Sequence, residues 1–183
     1  MDNTEHDQSQ NEHVNQHSAD FHDCSIPLNK HVKPLVFHEN PITTGYLEIC
    51  MGPMFAGKTT HLLDLIDNFN HTSTPFTVLK PTIDNRYNVD KITSHDNVSY
   101  KCVAIDSLDD TIHMKLTDNI LIEEGQFLEN LYEYVVKWIN EGKYVYIACL
   151  NGDYKMEPMG DIYKLIPMAN KIIHKTARCK CGR

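Results

Sequence analysis

Hydrophobic residues are sparse and unpatterned up to residue 40 and fall into ordered blocks from Tyr46 onward. The run Tyr46-Leu47-Glu48-Ile49-Cys50-Met51 is enriched in β-formers and bounded by glycines, which predicts a strand. Leu62, Leu63, Ile66 and Phe69 recur at helical spacing and predict a helix with one apolar face. Residues 76–79 predict a second strand, stopped by Pro81. Residues 81–118 are mostly polar and show no assignable period. Ile120-Leu121-Ile122 reads as a short buried strand. Leu131, Tyr134, Val135, Trp138 and Ile139 line a further helix, with Gly142 placed to end it. Residues 144–150 form a long apolar run of the kind buried in parallel sheets. Strands alternating with helices predict an α/β fold, a parallel sheet covered on both faces.

The first block differs in kind. Residues 1–44 are rich in His, Asn, Gln, Asp and Ser and lack the apolar surface that would offset ordering entropy, so a disordered polar tail is expected there. Six of the eleven histidines lie in it, but their irregular spacing reads as a solvated tail rather than a metal site. The formal charge is −8, of which residues 1–40 carry −5. With no basic stripe, binding to nucleic acid is not expected. No apolar run approaches the ~20 residues that span a bilayer, so no membrane partner is expected. Nothing at the N-terminus resembles an export signal, which makes the cytoplasm the expected compartment. Cys50 and Cys149 sit inside apolar runs and read as small buried hydrophobes.

Chemistry concentrates after the first predicted strand. Gly52-Pro53-Met54-Phe55-Ala56-Gly57-Lys58-Thr59 fits G-x-x-x-x-G-K-[ST], and it lies between a predicted strand and a predicted helix, the context this motif requires. Glycines let backbone N–H groups curl around phosphate oxygens, and the helix that opens at Lys58-Thr59-Thr60 turns its positive end to the same anion. Lys58 suits the β and γ phosphates of ATP, and the Thr59 hydroxyl suits magnesium. The strand at 120–122 runs into Glu123-Glu124. Side chains alternate along a strand, so one carboxylate is expected to face the metal and the other the acceptor. Glu123 is the expected magnesium acid and Glu124 the expected base.

These strings in this order resemble the type II thymidine kinases. Beside the phosphate loop and Glu123-Glu124-Gly125-Gln126-Phe127, the resemblance rests on Lys80-Pro81-Thr82-Ile83-Asp84-Asn85-Arg86-Tyr87 and Ser94-His95-Asp96. Leu150-Asn151-Gly152-Asp153-Tyr154, Pro158-Met159-Gly160 and Leu165-Ile166-Pro167-Met168 extend it. The resemblance implies a P-loop core of the RecA-like kind over residues 45–176 and a homotetramer. It also implies transfer of the γ-phosphate of ATP to the 5′-hydroxyl of thymidine or deoxyuridine, giving thymidine monophosphate for DNA precursor supply. Carried over, Glu124 is the general base, Arg86 steadies the phosphates with Lys58, and Glu123 stands where the family usually has Asp. Met54, Phe127, Leu150 and Tyr154 are the expected base-pocket residues. Met and aromatic side chains suit a neutral pyrimidine.

The same resemblance implies a zinc module opening with Cys-x-x-Cys, where this chain has Cys179-Lys180-Cys181. Two thiolates cannot fill a tetrahedral zinc site, so residues 177–183 are expected to be the start of a shortened zinc and lasso module. The alternative reading is a nucleotide-binding remnant that lacks the acceptor-covering lasso. A P-loop ATPase using water as acceptor fits Met54, Phe127 and Tyr154 less well.

Overall fold

A computed structural model of the chain describes residues 45–84, 90–179 and 181. The expected tail and Arg86 lie outside the described residues. Among those described, six strands form one parallel sheet in the order β5-β2-β6-β7-β1-β8. In chain order these are β1 (Tyr46–Met51), β2 (Phe76–Pro81), β5 (Val103–Ile105), β6 (Asn119–Ile122), β7 (Tyr144–Cys149) and β8 (Lys171–His174). A small antiparallel hairpin, β3 (Lys91–Thr93) with β4 (Ser99–Lys101), stands apart from this sheet. The α/β parallel architecture expected from the sequence is the one observed.

Helix α1 (Lys58–His71) covers one face and α2 (Leu131–Asn140) the other. The alternation of β6 shows how the layers are made. Ile120 and Ile122 point to the side of α2, packing with Leu131, Val135, Trp138 and Ile139. Leu121 points to the side of α1, packing with Leu62, Leu63 and Ile66. All three β6 residues are fully buried. A central parallel strand needs apolar residues on both faces, and this one has them.

A polar knot fixes α1 against the sheet. Glu48, buried on β1, accepts from Tyr46 Oη at 3.0 Å, lies 2.7 Å from His61 Nε2 of α1, and pairs with Lys171 Nζ of β8 at 3.1 Å. Burial pushes the Glu48 carboxyl up, but the hydrogen bonds from His61, Lys171 and Tyr46 outweigh it and hold it below its ordinary value.

One expectation needs correction. Pro81 does not stop β2 at residue 79; it is the last residue of the strand, paired with Ile105 of β5. The register with β6 ends at Leu79, so the N–H that proline lacks falls beyond that ladder. The stretch 81–118, where no period could be assigned, has regular structure among its described residues. It carries the β3–β4 hairpin, β5, and a 3-10 turn at Leu108–His113 capped by Ser107. No helix among the described residues is long and apolar enough to cross a membrane.

Candidate active site

The site lies at the carboxyl ends of β1, β2, β6 and β7. Beyond Met51 the chain must pass close to the segment leaving β8, where Lys175 N–H donates to Met51 O at 2.8 Å. A Cβ on Gly52 would sit 2.3 Å from the Lys175 carbonyl oxygen, so only glycine fits. The loop then turns through Phe55 at φ 64° and Gly57 at φ 77°, and α1 starts at Lys58. The left-handed turn at Gly57 points the first N–H groups of α1 back toward the loop. Lys58 is buried and its ammonium crosses the loop to donate to Pro53 O at 2.8 Å. Backbone donors, a helix start and an ammonium thus converge as a phosphate cradle.

Thr59 and Glu123 meet across this cradle. The Thr59 hydroxyl donates to Glu123 Oε1 at 2.5 Å. The other carboxylate oxygen, Oε2, is buried and has no partner among the described residues. Burial pushes the Glu123 carboxyl up to about 7; the Thr59 hydrogen bond and Lys58 oppose this, and the neighbouring Glu124 and Asp84 add to it. A buried, half-satisfied carboxylate beside a hydroxyl fits a magnesium ion, which takes one or two protein oxygens and completes its shell with water and phosphate.

Glu124 is buried and reaches the same cavity by another route than expected. Strand alternation ends at Ile122. Glu124 adopts the left-handed conformation, φ 51°, and opens a 3-10 turn over Gly125–Phe127. With this turn in place of a strand pleat, two successive carboxylates line the same cavity. Such a conformation is uncommon for glutamate and is stored at the site by the surrounding fold. Glu124 Oε2 accepts from Gln126 Nε2 at 2.6 Å, and Gln126 Oε1 in turn accepts from Leu150 N at 3.1 Å.

The cavity has a volume of about 320 Å³, and Lys58, Thr59, Glu123 and Glu124 line it. Met54, Phe127 and Leu150 line the same cavity and add apolar surface to its polar side chains. The structure therefore brings together most of the residues expected from sequence. Tyr154 is the exception: it is 89% exposed and does not line the cavity. The residues 153–157 that carry it turn on their own hydrogen bonds, with Asp153 Oδ1 accepting from the N–H groups of Lys155 and Glu157. Nothing in that local turn draws the Tyr154 ring inward.

Several lining residues had no role assigned from the sequence. Lys80 is almost fully buried, pairs with Asp84 at 3.2 Å and donates to Lys91 O at 3.2 Å, tying the end of β2 to the hairpin. Thr93, Ser94 and His95 bring the hairpin to the cavity rim, where the His95 ring lies 4.7 Å from that of Phe55. For Lys80, Ser94 and His95 the signal in the sequence was their place in the motif strings; Thr93 lies outside them. Away from the cavity, Cys179 and Cys181 are exposed with sulfurs 2.7 Å apart. Among the described residues no three His, Cys, Asp or Glu side chains form a group that could hold a metal ion. Two thiolates alone do not match the four ligands of structural zinc.

A sequence-family model described as thymidine kinase matches residues 45–183. The chain belongs to the thymidine kinase family. It is 36% identical over 152 residues to a thymidine kinase of Oryza sativa subsp. japonica, covering 78% of this chain and 56% of that protein. It is 35% identical over 147 residues to the thymidine kinase of Fowlpox virus, covering 76% of this chain and 80% of the viral protein. With the thymidine kinase of Monkeypox virus it shares 30% over 139 residues, covering 75% and 78%.

Proposed function

We propose that the chain transfers the γ-phosphate of ATP to the 5′-hydroxyl of thymidine or deoxyuridine, with magnesium at Thr59 and Glu123. One observation carries this reading: Glu124 lines a single cavity together with Lys58 and Thr59 of the phosphate loop and with the apolar side chains of Met54, Phe127 and Leu150. A general base belongs between donor phosphate and acceptor hydroxyl.

The residues divide the work. Loop N–H groups and Lys58 hold the donor phosphates and neutralise charge that builds on the transferring group. Bound at Thr59 and Glu123, magnesium supplies further charge neutralisation. Met54, Phe127 and Leu150 hold the neutral pyrimidine by shape and apolar contact. The acceptor 5′-oxygen attacks the γ-phosphorus, the bond from that phosphorus to the β–γ bridging oxygen breaks, and the hydroxyl proton passes to Glu124. The leaving electron pair stays on the β-phosphate of ADP. Positioning and electrostatics carry the rate, as in phosphoryl transfer generally. Arg86 is the further cation of this reading.

The test is Glu124→Gln, assayed with ATP, magnesium and thymidine. A base acts on the hydroxyl in the transition state, so kcat falls ~10²–10⁴-fold while affinity for an ATP analogue stays nearly intact. Full activity in this variant would overturn the assignment of the base.

A further inference from the structure

Gln126 is buried beside the base, and both ends of its amide are engaged. The orientation of that amide is dictated by its neighbours. Leu150 offers a backbone N–H, which can only donate, so the side-chain oxygen of Gln126 must face it. The NH₂ group must then face Glu124, whose oxygen accepts at 2.6 Å. A glutamine held this way is a one-directional bridge from the end of β7 to the carboxylate. Its backbone is fixed as well. A Cβ on Gly160, which has φ +57°, would stand 2.4 Å from the Gln126 carbonyl oxygen, so the residue 160 loop is packed tightly against it. Leu150 and Glu124 line the same cavity.

We propose that Gln126 is a positioning residue for the reaction: it holds the plane of the Glu124 carboxylate and locks it in register with Leu150 on the acceptor wall. This rests on the function proposed above. Glu124 stands in a left-handed turn just past the end of β6, and the Gln126 amide is a direct constraint on its carboxylate. The base and the acceptor surface then move as one piece. A shift of about 1 Å in such a constellation costs up to ~10²-fold in rate.

A double-mutant cycle with Gln126→Met and Glu124→Gln tests this. Methionine keeps the length and volume but cannot donate and accepts only weakly. In the wild-type background Gln126→Met is expected to lower kcat ~10–100-fold, with the KM for ATP changed less than about 2-fold. In the Glu124→Gln background it is expected to cost less than about 2–3-fold, because the group it positions is already disabled. Equal losses in both backgrounds would show a merely structural role and overturn the proposal, as would full activity of the single variant. Gln126→Glu preserves the acceptor for Leu150 and replaces the donor by an oxygen. It must lose activity in the same way, and it serves should the methionine variant not fold. Full activity of Glu124→Gln alone would instead overturn the choice of base, so the two failures are told apart.

Discussion

Glu123→Gln isolates the energetics of the cation cradle. The carboxyl rises from an ordinary 4.5 to about 7 on folding. The folded chain therefore holds this proton more tightly than the unfolded chain. Its contribution to stability is present below about pH 4.5, is lost as pH rises from there to about 7, and stays lost above. At ~1.4 kcal/mol per unit the loss is on the order of 3 kcal/mol. Glutamine does not ionise, so the variant escapes that loss. It keeps an acceptor for the Thr59 hydroxyl but places an amide N–H where Glu123 Oε2 has no partner, at a cost of about 1–2 kcal/mol. The net expectation at pH 8, without metal, is a variant more stable than wild type by ~1–2 kcal/mol, and no such advantage at pH 5. Urea unfolding at the two pH values measures the difference, and comparison with wild type cancels other titrating groups such as Glu48. Millimolar magnesium should raise the wild-type midpoint at pH 8 and leave that of the variant unchanged. A variant less stable than wild type at pH 8, or a stability difference that does not change between pH 5 and pH 8, would refute this account of the buried carboxylate.

Lys58→Ala should weaken binding of a non-hydrolysable ATP analogue by at least ~10-fold, read by calorimetric titration, because the ammonium is built into the phosphate cradle. Gly52→Ala should lower stability by roughly 1–3 kcal/mol, measured by thermal melting, because its methyl group meets the backbone of Lys175 and neither chain can retreat. Deleting residues 1–40 should leave the melting temperature and the cooperativity of unfolding unchanged in a scanning calorimeter, because that composition cannot build a core.

The elements that could be read from the sequence are those whose neighbours dictate their pattern. β6 is buried on both faces, so an unbroken apolar run is its only solution. α1 and α2 each cover one sheet face, so their apolar residues repeat at helical spacing. The edge strands lack such a demand. β8 (Lys171–His174) is largely exposed, and β5 and the hairpin strands are three residues each, too short for a period to emerge. The site divides the same way. Gly52, Gly57, Lys58 and Thr59 were legible because phosphate binding restricts residue type at fixed offsets. The turn at Glu124 was not, since glutamate has no preference for the left-handed region and only tertiary packing imposes it. Tyr154 had a place in a motif string, but a string carries no information on which way a surface ring faces.

The strand that carries the phosphate loop and the strand that carries Glu123 are not neighbours; β7 lies between β1 and β6. Thr59 and Glu123 therefore clasp hands over a gap of two strand spacings, about 9.6 Å, and the width of that gap is a property of the sheet. Helix α1 rests on β7, and Ala148 of that strand is among the buried residues beneath it. A bulkier side chain there would lift the helix and carry Thr59 away from Glu123 without touching any ligand. The meeting of Thr59 and Glu123 therefore depends on how closely the helix sits on the sheet, and small residues such as Ala148 let it sit close.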